Sequence, residues 1–215
     1  MTAALIFDLD GVLVDSELLI GREVCAALAV HGYLLDPTDY HAKFHYVRLE
    51  RMAETVTQES EVFLPDDFVI QLRARLDVAY ATDLNAVAGV EDMLRDVGLP
   101  VAVASGSVPE GIDLKLKRTG LYDFFSPHVY SVSAVANRKP APDVFLLAAE
   151  RLGVAAENCV VIEDAAPGVV AGVAAGMRVL GFTGGGHDYP ALADKLRDAG
   201  ADIVFDDMRQ LTALL

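Results

Sequence analysis

The stretch LIFDLDGVLVDS, residues 5–16, joins a short apolar run to a turn that carries two aspartates. The run ALIF, which ends at Phe7, is apolar without alternation, as is typical of a strand covered on both faces of a parallel sheet. Asp8 and Asp10 follow it, two residues apart. Aspartates are common turn residues, but two like charges beside a buried strand disfavour each other's ionised form and require compensation. The stretch therefore predicts both a strand and a candidate site.

The rest of the chain repeats the pattern of an apolar run followed by a helical segment. Helix signals are orderly: in APDVFLLAAERLG, Pro142 and Asp143 stand at the start and Gly153 follows the last turn. This alternation predicts an α/β fold with a doubly wound, Rossmann-like parallel sheet. The further predicted strands are VAVA before Ser105, HVYS ending at Ser131, CVVI before Glu163, RVLGF ending at Phe182 and DIVF ending at Phe205.

Residues 16–83 interrupt this alternation with helical patterns and no convincing strand. We therefore predict an α/β core domain formed by residues 1–15 and 84–215, and an all-α insert formed by residues 16–83. Two sets of apolar residues in the insert recur at helical spacing, and each forms one stripe: Ile20, Val24 and Leu28, then Phe68, Leu72, Leu76 and Tyr80.

The composition limits the class of protein. Hydrophobic residues make up 53% of the 215 residues and charged residues 23%, which predicts a well-buried core. The formal net charge of −15 repels nucleic-acid phosphates, so no nucleic-acid partner is expected. The cysteines form no disulfide pattern, and neither a signal peptide nor a membrane-spanning apolar run is recognisable. We expect a cytoplasmic protein without a membrane partner; the sequence does not define the oligomeric state, and a monomer is compatible with it.

Polar side chains follow four of the predicted strands. Because the carboxyl ends of parallel strands meet at one edge of the sheet, these side chains are expected to converge on one crevice. Four carboxylates and one ammonium group would meet there, an excess of negative charge that a divalent cation with oxygen ligands, such as Mg²⁺, relieves. The residues are Asp8, Asp10, Ser105, Lys139, Glu163 and Asp164.

Carboxylates that hold a metal ion suit phosphoryl transfer. The ion can clamp a phosphoryl oxygen and neutralise the charge that develops on it. A carboxylate in line with the phosphorus can attack it and form an aspartyl-phosphate. A second acid can protonate the leaving alcohol and later deprotonate water.

Four motifs in this order resemble the haloacid dehalogenase-like superfamily of phosphotransferases. They are DLDG at residues 8–11, the serine at 105, KPAP at residues 139–142, and ED at residues 163–164 followed by PGVVAGVAAGM. The nearest resemblance is to the sugar-phosphate phosphatase and β-phosphoglucomutase-like branch, in which a helical C1 cap follows the first motif. The resemblance identifies residues 16–83 as this cap, and the helical insert is called the cap below.

The resemblance implies that Asp8 is the nucleophile and a metal ligand. It implies that Asp10 is the general acid and base, and that its backbone carbonyl also binds Mg²⁺. Asp164 would be a direct metal ligand, and Glu163 a ligand or a partner of one. Ala165 stands where many relatives have a serine, so a hydroxyl that supports the metal site is missing.

By the same resemblance, Ser105, Gly106 and Lys139 hold the transferring phosphoryl group. Pro140 favours an extended conformation of Lys139, which gives the lysine side chain a defined direction. Ser107 begins an S-x-x-E pattern that matches a capping box, so we predict that Ser107 caps the following helix.

The cap segment KFHYVRLERM offers His45 and Arg48 as candidates for contacting the substrate. Charges on a solvated face are the commoner explanation for any one of these residues. The glycine run before His187 predicts a mobile loop at the rim of the site rather than a phosphate cradle. A metal-binding role for His187 is disfavoured, because no second histidine stands at a ligand spacing from it.

The core motifs do not separate a phosphatase from a phosphomutase. β-Phosphoglucomutase-like proteins have a cap histidine where this chain has Ile20, and a basic residue where it has Val108 and Pro109. These departures favour a Mg²⁺-dependent phosphatase of small phosphorylated metabolites, namely sugar or sugar-acid phosphates. A phosphomutase is the alternative. A non-catalytic phosphometabolite-binding protein is disfavoured by the intact set of acids, and a dehalogenase by the acid at Asp10.

Overall fold

The computed structural model describes residues 1–187 and 189–215. Its sheet consists of the predicted strands, β1 (Ala4–Phe7), β2 (Val101–Ser105), β3 (Val129–Ser131), β4 (Cys159–Glu163), β5 (Arg178–Phe182) and β6 (Ile203–Phe205). They form one six-stranded sheet in the order β3-β2-β1-β4-β5-β6, and every pairing is parallel. The predicted fold class, a doubly wound α/β sheet with a helical insert, is confirmed.

Eleven α-helices accompany the strands in the described part of the chain. None of the described helices combines the length and the apolar character that crossing a bilayer demands. The helices are α1 (Ser16–Val30), α2 (Pro37–Phe44), α3 (Leu49–Glu59), α4 (Phe68–Thr82), α5 (Val90–Asp96), α6 (Pro109–Arg118), α7 (Tyr122–Phe125), α8 (Asp143–Leu152), α9 (Ala166–Ala174), α10 (Leu192–Asp198) and α11 (Leu211–Leu214).

Both faces of the sheet are buried, which explains the unbroken apolar character of the strands. In β1, Leu5 and Phe7 point to one face, where α5, α6 and α7 pack. Ile6 points to the other face, where α8, α9 and α10 pack and where Phe145 is fully buried. Successive strand side chains face opposite sides, so each face receives its own apolar core.

The order of the strands places the crevice beside β1. Phe7 pairs with Val103 of β2 and with Ile162 of β4, so the carboxyl ends of these three strands lie side by side. The order also reverses at this point, because the chain continues from β3 on one side of β1 to β4 on the other. Open α/β sheets bind ligands at such a switch point.

The cap contains α1 to α4 and has an apolar core of its own, which includes Val24, Leu28, Met52 and Leu72. Its helical character is confirmed, whereas the boundaries at residues 16 and 83 remain predictions. The chain crosses between the sheet and the cap twice, at Asp15 and at Asn85, and these two crossings are hydrogen-bonded to each other. The Asp15 carboxylate accepts from the backbone N–H of Asn85 at 2.8 Å, and the Asp15 N–H donates to the Asn85 carbonyl at 3.1 Å.

Candidate active site

Asp8 is the first residue after β1 and is buried. Its backbone N–H still donates to the Ile162 carbonyl at 3.0 Å, so the strand pairing fixes where the side chain begins. The carboxylate accepts from Lys139 Nζ at 2.6 Å. Burial raises the pKa of Asp8 well above its ordinary value; Lys139 opposes this rise, and Glu163 and Asp164 add to it. Asp8 therefore lies in a site with more negative than positive charge.

Lys139 comes from the loop before α8 and is buried among its acceptors. Besides Asp8, its ammonium donates to Glu163 Oε1 at 2.6 Å and to the Ala104 carbonyl at 3.0 Å. Burial alone would lower the pKa of Lys139, but Asp8 and Glu163 outweigh burial and raise it above its ordinary value. The lysine is thus a fixed cation that joins the ends of β1, β2 and β4.

Glu163 is held through both of its carboxylate oxygens. Its Oε1 accepts from Lys139, and its Oε2 accepts from the backbone N–H groups of Asp164 and Ala165, both at 3.0 Å. A Cβ atom at Gly168 would overlap the Glu163 carboxylate, so the glycine of the PG pair leaves room for it. Both oxygens are engaged, so Glu163 fixes the position of Lys139, and its role as a metal ligand or as a partner of one remains a prediction.

Asp10 is held by three donors. Ser16 donates to Oδ1 at 2.6 Å, Ser107 donates to Oδ2 at 2.8 Å, and Lys115 forms an ion pair with Oδ1. Burial would raise the pKa of Asp10, but Lys115 and the two hydroxyl groups overcome it and lower the pKa below its ordinary value. Asp10 is therefore an ionised carboxylate with a fixed orientation.

The prediction that Ser107 caps a helix was wrong. Helix α6 begins at Pro109, and its N-cap residue, Val108, makes no side-chain capping bond. The Ser107 hydroxyl turns to Asp10 instead, while the Ser107 carbonyl accepts from the Ser131 hydroxyl at 2.6 Å. Proline at the first helical position needs no capped N–H, so the serine is available for the site.

Sequence reasoning also missed Lys115, which lies in α6 and is buried. Its ammonium lies 4.6 Å from the centre of the Tyr80 ring in the cap, as well as against Asp10. A signal was present: Lys115 stands three residues after Ile112 and one before Leu116, and both are fully buried. A lysine on the apolar stripe of a helix becomes buried, and a buried charge is costly unless an anion pairs with it. Asp10 is that anion.

Ser105 and Gly106 line the crevice next to Asp8. The Ser105 hydroxyl is fully buried and accepts from the Ser107 N–H at 3.0 Å, which shapes the turn. The Tyr46 hydroxyl of the cap lies 3.6 Å from the position that a Cβ atom at Gly106 would take. Tyr46 has a φ angle of 64°, a left-handed conformation that costs a non-glycine residue about 1 kcal/mol or more. Strain of this kind often marks functional loops, and here it points the phenol at the crevice.

Asp164 is buried beside two histidines. Its Oδ2 lies 3.0 Å from His187 Nε2 and 3.6 Å from His45 Nε2. Burial would raise the pKa of Asp164, but the two histidines hold it well below its ordinary value. Burial would lower the pKa of His187, yet Asp164 raises it to about 9. Gly11 is required here, because it has a φ angle of 75° and a Cβ atom on it would overlap the Asp164 carboxylate.

The two cap candidates have different surroundings. His45 ends α2 and its side chain is buried against Asp164. The Arg48 side chain is 83% exposed and pairs with Glu50 at 3.6 Å, so it is not among the residues at the crevice. A role for Arg48 in binding substrate remains a prediction. The juxtaposition of His45 with His187 was missed, because the two residues are 142 positions apart in the sequence.

The geometry agrees with comparisons to known proteins. A family model described as haloacid dehalogenase-like hydrolase matches residues 2–176. The 6-phosphogluconate phosphatase of Escherichia coli (strain K12) is 27% identical over 194 residues, which cover 90% of this chain and 88% of that protein. Hexitol phosphatase A of the same strain is 31% identical over 216 residues, covering 96% of this chain and 92% of that protein.

A solved structure gives the same result. The crystal structure of a HAD family hydrolase from Deinococcus radiodurans R1, with bound phosphate and sodium, superposes with a TM-score of 0.89 and is 36% identical. The match covers 99% of this chain and 95% of that chain. The sequence motifs, the six-stranded sheet and the family model agree, and the chain belongs to the haloacid dehalogenase-like hydrolases.

Proposed function

We propose that this protein is a Mg²⁺-dependent phosphatase of small phosphate monoesters, and that its substrates are sugar or sugar-acid phosphates. One observation supports this most directly: Asp8 is buried at the end of the central strand, beside a lysine that is itself fixed by Glu163. A nucleophile and a cation then share one crevice at the carboxyl ends of β1, β2 and β4. The names of the two curated relatives, 6-phosphogluconate phosphatase and hexitol phosphatase A, support the substrate class.

The oxygen atoms of this site fit a hard divalent cation. Asp8, the backbone carbonyl of Asp10 and Asp164 would hold Mg²⁺, since this set offers only oxygen ligands. The raised pKa of Asp8, caused by burial and by neighbouring carboxylates, reflects the crowding that a cation relieves. When bound, the ion would neutralise charge on the phosphoryl oxygens.

In the first half of the reaction, the Asp8 carboxylate attacks phosphorus and the bond to the leaving alcohol breaks, which gives an aspartyl-phosphate. Lys139 holds Asp8 in place and faces the phosphoryl group with a positive charge. In this proposal, Ser105 and the backbone at Gly106 bind the same group. Closure of the cap excludes water other than the one that later attacks.

In this proposal, Asp10 acts as the general acid and the general base. In the second half, Asp10 takes a proton from water, and the resulting hydroxide cleaves the aspartyl-phosphate. The lowered pKa of Asp10 suits this step, because the base is ionised at neutral pH. In the first half, Asp10 protonates the alcohol, and this step uses the less populated protonated form.

A phosphomutase remains the alternative. Ile20, which replaces the histidine of the mutase-like branch, packs against the apolar core of the cap and offers no proton-transfer group. The two reactions differ in whether water or a second sugar accepts the phosphoryl group. A phosphatase releases phosphate without a bisphosphate activator, whereas a mutase depends on one.

The test is hydrolysis of p-nitrophenyl phosphate with and without Mg²⁺. We expect turnover that requires the ion and a loss of about 10⁴-fold or more in Asp8→Asn, because the nucleophile is removed. Asp123→Asn is the matched control, since Asp123 is exposed on α7. Unchanged turnover in Asp8→Asn would refute the mechanism. A panel of phosphorylated sugars and sugar acids, including 6-phosphogluconate, then identifies the substrate, and strict dependence on a sugar bisphosphate would establish a mutase.

A further inference from the structure

We propose that His45, His187 and Asp164 form a second metal site, one that prefers a transition-metal ion such as Zn²⁺ over Mg²⁺. The three residues each offer one ligand atom, and these atoms lie within 4.8 Å of one another. Asp164 Oδ2 is 3.0 Å from one imidazole nitrogen and 3.6 Å from the other. Ligands about 2.1 Å from a tetrahedral metal lie roughly 3.4 Å apart, which is close to these separations.

The His187 ring lacks partners that a metal would supply. The residue is 1% exposed, and neither ring nitrogen has a hydrogen-bond partner among the described residues. Nε2 forms an ion pair with Asp164 Oδ2 at 3.0 Å, whereas Nδ1 faces no partner among the described residues. An unpartnered buried polar group costs free energy, and a metal–nitrogen bond removes that cost.

Two glycines, one of them in the loop before His187, leave room for the imidazole ring. A Cβ atom at Gly185 would lie 2.8 Å from His187 Cε1, and one at Gly11 would lie 2.7 Å from the same atom. Both contacts are too short for a side chain. The glycine run that the sequence presented as a mobile rim loop therefore has a packing function, which is to bring an imidazole to the carboxyl end of β4.

The chemistry of this ligand set separates it from the site at Asp8. Two imidazoles with one carboxylate suit Zn²⁺, Co²⁺ or Ni²⁺, whereas Mg²⁺ prefers oxygen ligands throughout. Asp164 faces both histidines with Oδ2. The neighbouring His41 adds no charge at neutral pH, because burial, with help from His187 and His45, lowers its pKa to about 4.

The site joins two parts of the molecule. His45 belongs to the cap, whereas Asp164 and His187 follow strands of the sheet. A metal held by all three side chains would fasten the cap over the crevice. This inference does not depend on the phosphatase reaction, since it concerns where a metal binds.

The experiment is a titration of the metal-free, untagged protein with Co²⁺ in a large excess of Mg²⁺. We expect one equivalent of Co²⁺ that Mg²⁺ does not displace, with the visible absorption of a site that has nitrogen ligands. His187→Gln and His45→Gln should each weaken this binding by at least about 10-fold and reduce the absorption. His128→Gln is the control, because this histidine is bonded to Tyr130, away from the crevice.

Asp8→Asn separates this inference from the proposed function. It should abolish turnover and leave the Co²⁺ spectrum unchanged, because Asp8 is not a ligand of the second site. Binding of Co²⁺ that Mg²⁺ displaces completely would overturn the proposal. So would equal affinity in wild type, His187→Gln and His45→Gln, since the histidines would then be only ion-pair partners of Asp164. Thermal unfolding of each metal-free variant verifies that it is folded.

Discussion

Asp8 and Asp10 are two residues apart, yet their surroundings shift their pKa values in opposite directions. Lys139 serves both Asp8 and Glu163, with Asp164 nearby, so one cation faces an excess of acids and the pKa of Asp8 rises. Asp10 has Lys115 and two hydroxyl donors to itself, and its pKa falls. Both carboxylates are buried, so the number of donors that each one has explains why their pKa values shift in opposite directions.

Removal of Lys139 should have the largest effect. In Lys139→Met, two buried acids lose their shared cation, and we expect the free energy of unfolding to fall by about 3–5 kcal/mol, with loss of activity. Chemical denaturation measures this change. Lys117→Met, which removes an exposed lysine of α6, is the control. The double variant Lys139→Met/Glu163→Gln should recover part of the stability; no recovery would mean that Glu163 does not depend on Lys139.

Removal of Lys115 tests the other half of the comparison. In Lys115→Met, burial is opposed only by Ser16 and Ser107, so the pKa of Asp10 should rise. Ionised Asp10 is then lost at a higher pH as the solution is acidified, and the acidic limb of the kcat–pH profile should move toward neutral pH. A profile identical to wild type would show that Lys115 does not control Asp10.

Loss of Lys115 should also change how the free energy of unfolding depends on pH. The lowered pKa of Asp10 stabilises the wild-type fold above the ordinary aspartate pKa of about 4, and this contribution disappears as pH falls through the folded-state value. In Lys115→Met that contribution should be reduced at neutral pH. Denaturation at acidic and neutral pH compares the two proteins, with Lys117→Met again as the control.

A smaller effect is expected from Gly168→Ala. The added methyl group would overlap the Glu163 carboxylate and displace it from Lys139, which we expect to cost about 1–3 kcal/mol. Gly111→Ala is the matched control, because its methyl group would meet only Val108 at an ordinary 3.6 Å. In that helix the substitution should be neutral or stabilising by up to about 1 kcal/mol. Equal stabilities of the two variants would contradict the close packing at Gly168.

The smallest effect concerns the cap. Tyr46→Phe removes the hydroxyl that lies beside Gly106, and we expect kcat/KM to fall by about 2- to 12-fold, the value of one hydrogen bond. Stability should be unchanged, because the backbone conformation is retained. A full kinetic comparison with wild type on p-nitrophenyl phosphate measures this. Unaltered kcat/KM would exclude the phenol from the phosphoryl site.

Much of the fold was predictable because its signals are local. The six strands are short apolar runs, and DLDG, KPAP and the ED pair mark where three of the turns lie. Topology then brings Asp8, Lys139 and Glu163 together, because parallel strands share one edge. Their proximity could be predicted without knowing any side-chain conformation.

The remaining features depend on contacts between distant elements. Ser107 was misassigned because a serine in an S-x-x-E pattern can either cap a helix or donate to another side chain. Only the position at which α6 begins shows that Ser107 donates to Asp10. The pairing of His45 with His187 requires the end of α2 to meet the loop after β5, and no spacing in the sequence encodes this. Lys115 was missed, although its place on the apolar stripe of α6 indicates burial; that place does not indicate its partner.

The bonded pair of crossings at Asp15 and Asn85 constrains how the cap can move. Because the two crossings are hydrogen-bonded to each other, the cap is attached to the sheet at one place, and a cap that opens would turn about that place. Such a turn would carry Tyr46, His45 and Tyr80 away from the sheet together. Opening for a substrate would then also separate the Tyr80 ring from the Lys115 ammonium.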